Sequence, residues 1–162
     1  MGRRLALAAV FEAEFGQRTA DAILERHLAE TETDARVAEL ARGLVAAVIR
    51  HRDTIDARIA AAAPQYPVAS LARMDRALLR SAIGEVLHSA TPARVAISEW
   101  VELARVYSGD PMRRLINGIL GRIAAESSGA SASAISSEEG VSGHDVRSAQ
   151  EAHRRAARRR RG

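Results

Sequence analysis

Cysteine is absent from the 162 residues, and so is lysine. The first absence excludes disulfides, thiolate nucleophiles and Cys-ligated zinc. The second excludes a Walker-A lysine, Schiff-base chemistry and any lysine base. All 24 basic residues are therefore arginine, whose planar fork of donors suits phosphate better than a point-like ammonium does. Aromatics are nearly as scarce: Phe11, Phe15, Tyr66, Trp100 and Tyr107 are the full set. No stretch approaches the roughly 20 apolar residues that span a bilayer. Glu12 and Glu14 interrupt the short apolar run behind Arg3 and Arg4, and no small-residue cleavage site follows, so this run does not read as a signal peptide. A soluble, cytoplasmic protein without a membrane partner is expected.

What is present is alanine and leucine, strong helix formers, within an apolar content of 47%. Few β-branched alternating runs occur, so the expected fold class is all-α, with about seven helices. The first runs from Arg3 to Phe15, with Leu7, Val10, Phe11 and Phe15 on one face and Gly16 as its stop. Thr19 caps a second, with Ile23, Leu24 and Leu28 inward. Thr33 starts a third, with Val37, Leu40, Ala41, Leu44 and Val48 inward, and Asp53 restarts it with Ile55 and Ile59 as far as Pro64. Pro64 and Pro67 break the pattern, because each pushes its preceding residue out of the helical region. After Ser70 a fifth helix turns Leu78, Leu79, Ala82, Ile83 and Val86 inward, and after Pro92 a sixth does so with Ile97, Trp100, Val101 and Ala104. Asp110 and Pro111 open the last as a capping residue followed by proline at the first helical position.

Composition changes after Glu126. Residues 127–162 begin with the Ser/Gly/Ala-rich "SSGASASAISSEEGVSG" and end in "EAHRRAARRRRG". The first part lacks a usable apolar face and reads as a flexible linker. Residues 1–126 carry 17 arginines against 16 acids, a net of +1, whereas residues 127–162 carry 7 against 4, a net of +3. A helical domain over 1–126 and an Arg-rich disordered tail over 127–162 follow.

A search for chemistry finds none. His27, His51, His88, His144 and His153 show no zinc-ligand spacing. Glu85-Val-Leu-His88 has the E-x-x-H form of di-iron bundles, but those sites need two such motifs and two further inward glutamates. No glycine-rich phosphate loop and no nucleophile elbow is present, so no enzyme, metal or cofactor is expected. The basic ends are the better lead: Arg3 and Arg4 at the entrance of the first helix, Arg113 and Arg114 in the first turns of the last. Arginines so placed can track phosphates and stack on exposed bases of single-stranded RNA.

One local feature is unusual. In "RRLINGILGRI" (113–123), Asn117 and Gly118 fall inside a helical pattern of Leu115, Ile116, Ile119, Leu120 and Ile123, although Asn-Gly is a turn signal. Gly118 and Gly121 are expected to form a side-chain-free strip against which another backbone packs closely, so that Gly118→Leu damages folding. Asn117 is expected to point away from the core, toward a neighbour or a ligand.

Three segments occur in order at close spacing: "DRALLRSAIGEVL" (75–87), "VAISEWVELARVY" (95–107) and "RRLINGILGRI" (113–123), preceded by "RRLALAAVFEAEF". Together they resemble the NusB family of bacterial transcription antitermination factors over about residues 3 to 124. The resemblance implies two small helical bundles packed at an angle and a non-catalytic protein. It implies binding of a boxA RNA element together with ribosomal protein S-ten (NusE), within an RNA polymerase complex of Nus factors that suppresses premature termination, notably in rRNA operons. By position it implies RNA contacts at Arg3, Arg4, Phe11, Arg113, Arg114 and Asn117, and a partner contact at Asp75. The chain departs from the family pattern at Ser98, Trp100 and Leu115, and it has few basic residues ahead of the first helix.

Two other readings compete. One is the RNA-binding domain of an rRNA cytosine methyltransferase, detached from its catalytic part. The other is a helical homo-oligomeric scaffold, in which a homodimer covering Arg3 and Arg4 would block RNA. Under the leading reading, the Arg154–Arg161 block supplies charge that the N-terminus lacks. Truncation after residue 126 is then expected to weaken RNA binding and flatten its salt dependence, and a salt titration of RNA affinity with unchanged slope would refute this.

Overall fold

The structure, a computed structural model, describes the backbone of residues 1–139 and the side chains of residues 1–129. Its regular elements are α1 (Gly2–Ala13), α2 (Ala20–Glu30), α3 (Ala35–Arg50), α4 (Arg52–Ala62), a short 3-10 turn (Val68–Ser70), α5 (Arg73–His88), α6 (Ala93–Ser108) and α7 (Asp110–Glu139). Seven α-helices and no strand among the described residues make the all-α expectation correct. None of the described helices is long and apolar enough to cross a membrane.

Met1–Ala124 form one unit and the residues from Ala125 another. In the first, α1 packs on α2 and α3, α5 packs on α6, and α5 meets both α1 and α3. Helix α5 is the centre. Every residue from Ala77 to Glu85 is buried, so neighbours close around it on all sides rather than along one stripe. Small residues permit this: a Cβ on Gly84 would touch Val48 at 3.4 Å and Ile55 at 3.6 Å. Leu7, Val10, Leu44, Val48, Ile55, Ile59, Leu78, Leu79 and Ile83 share one core with Trp100, Ile116, Leu120 and Ile123.

Several boundaries differ from the sequence expectation, each for a local reason. Asp34, not Thr33, caps α3, because its carboxylate accepts the backbone N–H groups of Arg36 and Val37. The break between α3 and α4 falls at His51, whose backbone leaves the helical region. Helix α1 ends at Ala13, so Phe15 turns outward and is 53% exposed instead of lining the core. Gly16 does adopt positive φ just beyond, as the expected stop. Gly109, at φ 93°, makes the corner between α6 and α7 and donates its N–H to Ala104 and Arg105.

Helix α7 continues to Glu139, past the boundary expected at residue 126. Its Ala- and Ser-rich extension has Gly129 as its single glycine and no proline, so it contains no strong breaker. The Arg154–Arg161 block lies outside the described residues.

The expectation for Gly118 is overturned. A Cβ at Gly118 or at Gly121 would meet nothing within 4 Å, and both residues are exposed. They lie on the solvent side of α7, and the buried stripe of Met112, Ile116, Ile119, Leu120 and Ile123 holds the helix in place. The glycine that does need its missing side chain is Gly2, where a Cβ would come to 2.9 Å from the Val37 carbonyl oxygen. Gly118→Ala should therefore raise stability by about 1 kcal/mol, and Gly2→Ala should lower it. Thermal melts would read both as shifts of a few degrees in opposite directions, and a destabilised Gly118→Ala would restore the close-packing account.

Candidate nucleic-acid interface

Glu85 has no exposed surface, and an isolated carboxylate there would cost several kcal/mol. Arg3 meets it with two parallel bonds, Nε to Oε2 at 2.9 Å and Nη2 to Oε1 at 2.8 Å. Trp100 donates its indole N–H to Oε2 at 2.7 Å. One carboxylate thus ties the start of α1 to α5 and α6. The remaining arm of Arg3 reaches Glu99 at 3.5 Å. Arg3 is consequently a residue that positions the end of α1, with its side chain only 16% exposed.

A second buried network secures the other end of α1. Arg80, on α5, donates to both oxygens of Asp56 at 2.8 Å and also to Glu14. Arg76 donates to Glu14 at 2.7 Å. Burial works against the Arg80 charge, but Asp56 and Glu14 outweigh it and hold its pKa above the ordinary arginine value. These pairs position helices and leave little free charge for a ligand.

The face outside the Glu85 clamp is different. Asn117 of α7 and Arg94, Ile97, Ser98, Glu99, Val101 and Glu102 of α6 line a shallow, open depression. Glu99 connects that depression to Arg3. Arg4, next to Arg3 in the first turn of α1, is exposed and has no ion-pair partner among the described residues. Arg3 thus reaches, through Glu99 of α6, the depression that Asn117 of α7 also lines. Arg114 is exposed and close enough to Asp110 to help lower that carboxyl's pKa, after the larger effect of Arg113. Arg113 donates directly to Asp110 at 2.9 Å, within one turn of α7. Asp75 accepts a hydrogen bond from the Ser108 hydroxyl, which places it at the α6–α7 corner rather than beside Asn117. Phe11 is half-buried against the core and meets Phe15 edge-on.

Sequence reasoning missed the Glu85 clamp. The available signal was Trp100, because a buried indole N–H requires an acceptor. The Glu85…His88 spacing is no metal motif here: Glu85 faces inward, while the His88 ring stacks on His51 at 3.7 Å. Burial and the adjacent His51 hold His88 below the ordinary histidine value. Among the described residues, no group of three or more His, Cys, Asp or Glu side chains could hold a metal ion.

Among the described residues this is an all-helical protein with ion-paired clamps at both ends of α1 and a shallow polar depression lined by α6 and α7. The profile of the NusB family matches residues 2–125, and the chain belongs to that family. It is 37% identical over 122 residues to the transcription antitermination protein NusB of Dehalococcoides mccartyi, covering 75% of this chain and 85% of the relative. It is 38% identical over 130 residues to the NusB of Symbiobacterium thermophilum, covering 75% and 85%. The solved structure of T. maritima NusB superposes with a TM-score of 0.71 at 32% identity, covering 77% of this chain and 89% of that one. A complex of the antitermination factors NusB and NusE with dsRNA contains a chain of the same fold, with a TM-score of 0.67 at 21% identity, covering 77% and 94%.

Arg3→Ala should destabilise the protein by about 3–5 kcal/mol, because it strands a buried carboxylate. Arg4→Ala, at an exposed position, should change stability by no more than about 0.5 kcal/mol. Denaturant unfolding would show the difference, and adding Glu85→Gln to Arg3→Ala should recover part of the loss. Equal, small losses from the two single variants would mean that Glu85 does not depend on Arg3.

Proposed function

We infer that this chain acts as a transcription antitermination factor of the NusB type. It binds a boxA-type RNA together with ribosomal protein S-ten (NusE), as part of an RNA polymerase complex with other Nus factors, and so suppresses premature termination in rRNA operons. The observation that carries this reading is the family match across residues 2–125. The fold shared with a chain of the NusB–NusE–dsRNA complex is consistent with it. The proposed protein is a non-catalytic adaptor working in the cytoplasm, where transcription takes place. Its domain is residues 1–126, and residues 127–162 serve as a linker and basic tail.

The proposed contacts divide by what the side chains are free to do. Arg4 and Arg114 are exposed cations suited to phosphate. Asn117 offers a donor and an acceptor at the edge of the α6–α7 depression. Arg3 holds the α1 entrance in place through Glu85 and reaches RNA only with its outer edge. Arg113 shares its charge with Asp110, and Phe11 supports the surface from beneath. Asp75, at the α6–α7 corner, is the proposed protein contact.

Fluorescence anisotropy of a short boxA RNA, titrated with the protein alone and with S-ten at two salt concentrations, tests this reading. Tighter binding with S-ten, lost on scrambling the RNA, is the expected result. Asn117→Ala should weaken binding about tenfold with an unchanged melt, and Arg114→Ala should also lower the salt slope by about 0.7. Equal affinity for boxA and scrambled RNA, unaffected by S-ten, would overturn it.

A further inference from the structure

Phe15 is a large aromatic side chain held on the surface by specific contacts. It is 53% exposed, in the turn that follows α1. The Phe11 ring meets it edge-on, with centroids 5.4 Å apart and planes at 90°. The Arg73 guanidinium lies over its face, 4.7 Å from the centroid. Arg73 is the first residue of α5, so the turn after α1 and the start of α5 hold this ring and this cation against each other.

The charges around the ring are biased toward cations. Glu12 is paired with Arg26 at 2.6 Å and with His27 at 3.2 Å, and the Arg26 hydrogen bond holds its carboxyl below the ordinary range. Glu14 is taken by Arg76 and Arg80. With both acids of this turn neutralised, Arg73 and Arg18 remain without a carboxylate partner among the described residues. Beside the ring lies a depression of about 350 Å³ lined by Glu12, Phe15, Gln17, Arg18, Ile23 and Arg26, within the size range of small-ligand pockets.

We propose that Phe15 and Arg73 form a stacking platform for an unpaired base of the bound RNA. The proposal rests on the RNA-binding function inferred above and extends the contact surface to the far end of α1. Arg4 and Phe11 are seven residues apart, about two helical turns, and so share one side of α1 about 10 Å apart. A single strand whose backbone is held at Arg4 can follow that side and deliver a base to Phe15. An exposed aromatic face already paired with a guanidinium, in a locally cationic setting, matches the two features that single strands offer, a π-face and a phosphate. An acidic protein segment would use the cations but not the ring.

The test is anisotropy with a single-stranded boxA-type RNA and the full chain. Phe15→Leu keeps apolar bulk and removes the ring, so thermal melts should stay level while RNA affinity falls about tenfold at both salt concentrations. Arg73→Gln should weaken binding and reduce the salt slope by about 0.7. Phe15→Trp should retain affinity. Abasic substitution scanned along the RNA should find one position at which the unaltered protein and Phe15→Leu bind equally. If Phe15→Leu binds RNA normally while Asn117→Ala does not, the platform is overturned and the RNA-binding function stands. If Phe15→Leu loses only the gain in affinity due to S-ten, the ring is a protein contact and the proposal fails. Absence of RNA binding by the unaltered protein would overturn both.

Discussion

A carboxylate with no access to water is the constraint around which the start of α1 is organised. Glu85 receives three donors, two from Arg3 and one from Trp100, and those donors come from the first and sixth helices. Removing water from a charge is costly unless its lone pairs are filled and its sign is compensated. The fold meets that demand by bringing three helices to one point. Arg3 and Glu99, which it also reaches, take their positions from this point. The guanidinium that fixes α1 has two of its donors committed to that carboxylate.

The same strategy recurs at the other end of α1, where Arg80 links Glu14 and Asp56. Between the two clamps, α5 is buried on all sides and carries small residues that let its neighbours approach. With few aromatic rings to fill space, aliphatic packing provides most of the favourable burial, and directional ion pairs select one arrangement among helices that could otherwise slide. That division of labour holds the side chains of α1, α5 and α6 in fixed register.

The helices were legible because each carries its own periodic stripe. The buried Leu7, Val10, Leu44, Leu78, Ile83, Ile116 and Leu120 follow directly from spacing. The family was legible because three motifs occur in order, which is far more specific than any one of them. The misreadings share a cause. The spacing of Phe15 continues that of Leu7 and Phe11 and so predicts an inward ring, yet the helix ends at Ala13 and periodicity cannot say where a helix stops. Gly118 suggests a close contact because glycine often marks one, but in open space a glycine costs only its helix propensity. The partner of Arg3 is not legible at all, since a sequence does not show which carboxylate will be buried beside it. Pairings over long separations, such as Arg3 with Glu85 or Arg80 with Asp56, are set by tertiary packing and leave no local trace.

The indole at position 100 has a practical consequence. It is the single tryptophan of the chain, it is fully buried, and its N–H is bonded to the carboxylate that fastens α1. Its near-ultraviolet emission is therefore a built-in optical reporter of that junction, uncontaminated by any second indole. Exposure to water would shift the emission to longer wavelength, so loosening of the N-terminal helix is visible in the unlabelled protein, distinct from changes elsewhere on the surface.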